Sequence, residues 1–278
     1  MKSNKLLLSH FHSVSSDLDH ALVALSKAFD PVHNQHLIKC LNKLHILYEL
    51  IETAYPMDNV QAKQLFKPYH KLAKLARQTA DYQNLYEKFK QYQLKSEELY
   101  SSYKQQVKKH KQNAEKELRE FIIKIKLESL HQHHELVNEK LTEASNYVAN
   151  VLTAKLINNY MDEHIIPNIH ASKNVATLKE LRESLENLIL IEHLRETSGY
   201  NKTFRDEIYT SFIKLKASLE TWYRTQVFIQ HLSFFLSDRE IKKEKYTKLL
   251  IHLKNDKTKQ VEKISKLTDS LFSATKSF

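Results

Sequence analysis

Glycine occurs once in the 278 residues, at Gly199. Average usage would place roughly 19 in a chain this long. Hairpin turns, tight strand-to-helix turns and phosphate-cradling loops use glycine because it reaches positive φ without steric cost. The sequence therefore argues against dinucleotide-binding units, Walker-type loops, β-sandwiches and nucleophile elbows. Proline occurs four times, at Pro31, Pro56, Pro68 and Pro167. Hydrophobic residues make up 41% of the chain and charged ones 27%, which is enough apolar surface to bury a core. What remains is an all-α protein.

Helical periodicity runs almost throughout, and the few breakers divide it. Leu7, Phe11, Val14, Leu18, Ala21 and Leu25 recur at spacings of three and four, which predicts a first helix over about 4–28. Asp30-Pro31 reads as an N-cap followed by proline at the first helical position. The second helix carries Leu37, Leu41, Leu44, Tyr48 and Ile51 on one face and should stop near Tyr55-Pro56. Asp58 can cap the next helix, in which Pro68 should introduce a kink or a division. From 69 to 160 there is neither proline nor glycine, and one helix of that length would exceed about 130 Å. The stretch must fold back, with breaks expected near Gln91–Ser96 and His131–His134. Met161–Val175, with Pro167, Asn168, Ser172 and Asn174, reads as a loop. A helix follows from Thr177 to Arg195, with Gly199 as its left-handed C-cap. Thr203–Leu236 reads as two helical pieces, and Ser237-Asp238 opens a last helix to about Phe272. The expectation is roughly eight helices.

The net charge is +10, from 43 Lys and Arg against 33 Asp and Glu. The excess is shared evenly between the two halves of the chain, so a folded surface carries it. Such a surface suits a polyanionic partner. Lysine far outnumbers arginine, and bidentate base readout favours arginine, so sequence-specific nucleic-acid recognition is not expected. The lone Cys40 excludes an internal disulfide and a multi-cysteine zinc site; it reads as a buried structural thiol. No apolar run approaches the ~20 residues that span a bilayer, and the N-terminus lacks a signal-like apolar stretch. A cytoplasmic protein without a membrane partner is expected.

No Ser–His–Asp, Cys–His or paired-carboxylate arrangement stands out; Asp162-Glu163-His164 is the nearest. An enzyme is not expected, nor a cofactor. His131, His133 and His134 form the densest histidine cluster, and His131, His134 and Glu135 share a helix face that a metal could use. Chance clustering among 16 histidines accounts for it equally, as it does for His164 and His170, and no metal site is assigned. A metal-dependent enzyme built on that segment is the third reading. Tyr82, Tyr86, Phe89 and Tyr92 follow helical spacing among lysines, either as a core with snorkelling lysines or as a base-stacking face. Trp222, Phe228, Phe234 and Phe235 read as core. Lys104, Lys108, Lys109 and Lys111 read as a solvated run.

Two stretches resemble each other. His36-Leu37-Ile38-Lys39 with Lys43 and Leu44 aligns with Lys179-Glu180-Leu181-Arg182 with Glu186 and Asn187. The alignment sets Ile38 on Leu181 and Ile46 on Ile189. A one-residue slip then sets Leu41, Leu44, Leu47 and Leu50 on Leu185, Leu188, Ile191 and Leu194. With these features the chain resembles the CHAD family, a helical domain named for its characteristic histidines. That family has two pseudo-symmetric four-helix halves around a basic groove and is associated with binding inorganic polyphosphate. Its halves open with His-x-x-Arg and further basic residues. Later come Gly-x-x-Arg-Asp/Glu or Gly-x-Trp-x-Asp segments. Here His36, Lys39 and Lys43 fit the first opening, with His33 in a second frame. The second opening keeps Arg182 but has Lys179 for His and Glu186 for a cation. The segment from Phe66 to Gln78 keeps Arg77, with Lys74 replacing Gly. The segment Leu219–Arg224 keeps Trp222, with Glu220 replacing Gly and Arg224 replacing Asp.

The resemblance implies one CHAD-like domain over 1–278, with an N-terminal half at 1–130 and a C-terminal half at 131–278. It implies non-enzymatic binding of inorganic polyphosphate, or another phosphate-rich polyanion, through a basic groove between the halves. His36, Lys39, Lys43, Lys71, Lys74, Arg77, Lys179, Arg182 and Arg224 are the expected phosphate contacts. Independently, His36, Lys39 and Lys43 form one helix stripe, and Lys67, Lys71 and Lys74 another. Fixed cations at such spacing attract a phosphate chain by counterion release and charge-assisted hydrogen bonds, and histidine adds a pH-dependent donor. The same stripes would also serve as solvated helix faces. The alternative function is a structural or protein-interaction bundle that has lost the phosphate-binding surface.

Overall fold

A computed structural model describes residues 6–54, 59–94, 100–125, 127–143, 146–237 and 244–275. Every described element is helical. The helices are α1 (Leu6–Lys27), α2 (Pro31–Ala54), α3 (Asn59–Leu94), α4 (Ser101–Lys124), α5 (Leu127–Glu143), α6 (Asn146–Asn159), α7 (Ile166–His170), α8 (Val175–Thr197), α9 (Asp206–Ser237) and α10 (Glu244–Thr275). A π-helical turn, Tyr160–Ile165, joins α6 to α7. The all-α expectation of about eight helices holds.

Several boundaries follow from local chemistry. Asp30 Oδ1 accepts the Val32 amide hydrogen at 2.7 Å and caps α2, with Pro31 at its first position. Asn174 Oδ1 accepts the Thr177 amide hydrogen at 3.0 Å and caps α8. Gly199, with φ +71°, ends α8. The amides of Gly199 and Tyr200 bond back to the carbonyls of Glu196 (3.1 Å) and Arg195 (2.9 Å), the pairing of a Schellman cap.

Four expectations are corrected. Met161–Val175 is mostly helical, because Tyr160, Ile165 and Ile169 are buried and Pro167 sits in a first turn, where its missing N–H costs nothing. α5 runs unbroken through His131–His134, since Leu130, Val137 and Leu141 share one buried face; the break falls between α4 and α5. α3 is not divided at Pro68, whose ring is exposed, since Tyr69 and Leu72 on the next turn are buried. α9 is one helix because Phe212, Leu215, Leu219, Trp222, Phe228, Leu232 and Phe235 bury an uninterrupted face. Phe234 departs from the expected core and stands 64% exposed. α3 ends at Leu94 and α9 at Ser237. The calls on Pro56, Asp58, Ser96 and Asp238 lie outside the described residues.

The chain forms two compact units, each drawn from three stretches. The first comprises Met1–Ala80, Asn113–Met161 and Leu190–Thr203; the second comprises Asp81–Gln112, Asp162–Ile189 and Phe204–Phe278. They interleave along the chain, whereas the expected halves, 1–130 and 131–278, are consecutive. In the first unit α1 packs on α2, α5 and α6, burying Phe11, Val14 and Leu18 with Leu37, Leu44 and Tyr48. Its polar keystone is Arg195, 5% exposed. Arg195 donates to Asn150 O (2.8 Å), Thr153 Oγ1 (2.7 Å) and Asn201 O (3.0 Å). Its Nε lies 3.9 Å from Glu192 Oε2. Glu192 Oε1 in turn accepts the Thr203 amide hydrogen at 2.6 Å.

The second unit buries Phe89, Tyr103, Val107, Phe228, Leu232, Phe235 and Tyr246 in one cluster, with Tyr82, Tyr86 and Tyr92 packed against it. The aromatic stripe of α3 is therefore core with snorkelling lysines, among them Lys90 Nζ, 4.7 Å from the Tyr86 ring centroid. At the cluster's edge Tyr103 Oη lies 3.0 Å from His231 Nδ1, and His231 Nε2 lies 3.1 Å from His110 Nδ1.

Two outcomes follow. Arg195→Ala breaks the buried Arg195–Glu192 pair and should cost about 3–5 kcal/mol in urea unfolding. Burial, with His110 adding to it, pushes His231 down to about 4. The unfolded chain therefore binds a proton first, and stability should fall as pH drops from about 6.5 toward 4, then level off. His231→Asn should flatten that part of a thermal-melt pH profile.

Candidate functional site

In the first unit α2 and α3 pack antiparallel. Asn34 Nδ2 donates to Ala76 O at 3.1 Å, and Arg77 Nη2 donates to Asn42 Oδ1 at 2.8 Å. Further along, Tyr48 meets Phe66 (centroids 5.8 Å) and Tyr69 (6.2 Å). These contacts bring the Lys74–Arg77 turn of α3 alongside the Lys39–Lys43 stretch of α2. His36, Lys39, Lys74 and Arg77 are exposed, and Lys43 is half-buried. Among the described residues, no carboxylate lies within ion-pair distance of Lys39, Lys43, Lys74 or Arg77. Lys71 leans the other way, its Nζ 5.0 Å from the centre of the Phe121 ring on α4. His33 is exposed on the first turn of α2.

The field on this face registers on a residue that sequence reasoning missed. His10 of α1 is pushed down to about 4, by burial first and then by Lys43 and His193. Nothing in the α1 pattern set His10 apart from its other polar positions.

The second unit treats its cations differently. Arg182 Nη1 donates to Glu220 Oε1 at 2.9 Å, and Nη2 lies 3.4 Å from Glu183 Oε1. Its guanidinium sits over the Tyr223 ring, 4.1 Å from the centroid, and the Tyr223 hydroxyl donates to Asp81 at 2.9 Å. Burial works against the Arg182 charge, but Glu220 outweighs it and holds the group above its ordinary range. Burial raises the Asp81 carboxyl despite the Tyr223 hydrogen bond and Arg182. Lys179 is half-buried near the same ring, 5.9 Å from its centroid. Arg224 is exposed. Near Arg224, Lys88 donates to Thr225 and is lowered to about 8 by burial, with Arg224 adding to the shift and Asp256 opposing it. Sequence reasoning also missed Lys88, which is hidden among the lysines of α3.

The histidine cluster on α5 is engaged in packing. His134 lies 2.7 Å from the Tyr69 hydroxyl, His131 lies 3.4 Å from Asp19, and His133 meets Tyr48 and Tyr69 edge-on. His164 lies 3.3 Å from Glu180.

No sequence-family model matches the chain, and no curated protein matches it. A solved structure does. The CHAD domain from the plant Ricinus communis aligns with a TM-score of 0.72 over 96% of this chain and 91% of that one, at 10% identity. The fold is that of a CHAD domain. The similarity is one of fold. On this fold Glu220 has a structural role, since its carboxylate occupies Arg182. A double-mutant cycle on Arg182→Ala and Glu220→Ala should return a coupling of about 0.5–3 kcal/mol in urea denaturation, while Lys39→Ala with Glu220→Ala should return none.

Proposed function

We propose that this CHAD-fold chain is a cytoplasmic, non-enzymatic polyanion-binding module whose ligand is inorganic polyphosphate. The observation that carries this reading is the exposed cation set on α2 and α3. Lys39, Lys74 and Arg77 stand in solvent at matched levels of two antiparallel helices, without a carboxylate partner among the described residues. Lys43 and His36 continue the α2 stripe. Each side chain has one role, an ammonium, guanidinium or imidazolium donor to phosphate oxygens. Lys71, Lys179, Arg182 and Arg224 complete the proposed contacts. Arg182 contributes least, because its donors already serve Glu220 and Glu183.

That occupied arginine favours a second reading. A cluster of Arg182, Glu220, Glu183, Asp81 and Tyr223 in which both terminal nitrogens of the arginine already face carboxylates suits a structural or protein-interaction bundle better than an anion site.

Labelled long-chain polyphosphate separates the two. By the single-strand rule of roughly −0.7 per neutralised charge, about eight contacts, Arg182 set aside, give a log–log salt slope near −6. Lys39→Glu with Arg77→Glu should weaken binding at least about tenfold, because each reversal removes an attraction and adds a repulsion. Arg182→Ala should change affinity by less than about twofold. No detectable binding at low ionic strength would remove the polyphosphate reading and leave the interaction bundle.

A further inference from the structure

Asp17 of α1 and His36 and Cys40 of α2 point at one another. Their carboxylate oxygen, imidazole nitrogen and thiol sulfur all lie within 4.8 Å of one another. Among the described residues this is the group of three ligand-type side chains so gathered. His36 and Cys40 are four residues apart on one helix face, and His36 Nε2 lies 3.8 Å from Cys40 Sγ. Zinc sits about 2.3 Å from sulfur and about 2.0–2.1 Å from imidazole nitrogen, so a 3.8 Å separation subtends roughly 120° at a shared ion. That angle is within the spread of a distorted tetrahedron.

We infer that Asp17, His36 and Cys40 form a three-ligand site for Zn2+, with the fourth position left to water. The donor set is the mixture of sulfur, nitrogen and oxygen that zinc accepts. Access is built in. Cys40 is 2% exposed and Asp17 half-buried, but His36 is exposed and opens the site to solvent on one side. The packing of α1 on α2 fixes the carboxylate, and the α2 helix fixes the other two ligands, so no loop needs to order on binding. The thiol sets the cost of binding, since it must give up its proton to the ion. Burial, then the Asp17 carboxylate, pushes it up to about 11, with Lys43 pulling the other way. Ion entry therefore displaces the thiol proton to solvent and replaces it with a metal–sulfur bond, with no change of oxidation state.

The inference does not rest on the phosphate reading, although both use His36, and its test uses no polyanion. Cobalt(II) is added to the full chain as a coloured stand-in for zinc. The expected result is a thiolate-to-cobalt charge-transfer band in the near ultraviolet, saturating at one equivalent, and bleached by Zn2+. Cys40→Ser should abolish the band. Because Cys40 is buried, the decisive variants are His36→Gln and Asp17→Asn, each expected to weaken cobalt binding at least about tenfold, with helical circular dichroism unchanged. The inference is overturned by a folded protein that shows no band at saturating cobalt. It is equally overturned by a band that both His36→Gln and Asp17→Asn leave unchanged, which would mark a thiol binding alone.

Discussion

Asn34 and Asn42 are buried on α2, 1% and 5% exposed, where an unpaired amide would cost more than a hydrogen bond returns. Each finds a partner on α3. Asn34 donates to the carbonyl of Ala76, and Asn42 accepts from Arg77. Apolar packing alone tolerates sliding between two helices, but two directional contacts do not. They set the register of α3 against α2, and that register levels the Lys74–Arg77 turn with the Lys39–Lys43 stretch. The arginine is shared between structure and surface. One of its nitrogens is spent on Asn42, while the side chain remains exposed.

The contrast between the two units shows that a count of cations says little about a charged site. The same residue types, placed by similar helical spacing, have different electrostatic roles. On α2 and α3, Lys39, Lys43, Lys74 and Arg77 have no carboxylate within ion-pair distance among the described residues, and Lys43 adds to the burial that depresses His10. On α8 and α9, Arg182 is enclosed by Glu220, Glu183 and the Tyr223 face, and its charge is used inside the protein. Buried, paired charge adds little attraction for a distant anion, because its field is cancelled at close range.

What the sequence made legible follows the same line. Gly199, Asp30-Pro31 and the leucine spacing of α1 and α2 were readable because each acts within a turn or two of chain. The break between α4 and α5 was not, since no glycine or proline marks it. Met161–Val175 misled for the opposite reason. Its polar, proline-bearing composition looked like a loop, but Ile165 and Ile169 have a core to enter. The exposure of the α2 stripe was legible from periodicity. The capture of Arg182 by Glu220 was not, because that partner lies 38 residues away on another helix. The Asp17 contact escaped for the same reason. Cys40 read as a lone structural thiol when only its neighbours in sequence were in view.

His36 is where the two chemistries of the first unit meet. Its imidazole is one end of the basic stripe and one corner of the Asp17–Cys40 cluster, and one nitrogen cannot ligate zinc and donate to phosphate at once. The charge balance decides what metal entry does to the face. With it, two positive charges arrive and one proton leaves, so the cluster rises by one unit and the carboxylate beside His36 is cancelled. An imidazole that ligates through one nitrogen keeps the N–H of the other as a donor, so the stripe keeps that donor and gains a fixed positive contribution. A zinc-loaded first unit would therefore attract a polyanion to Lys39, Lys43, Lys74 and Arg77 more strongly than an empty one.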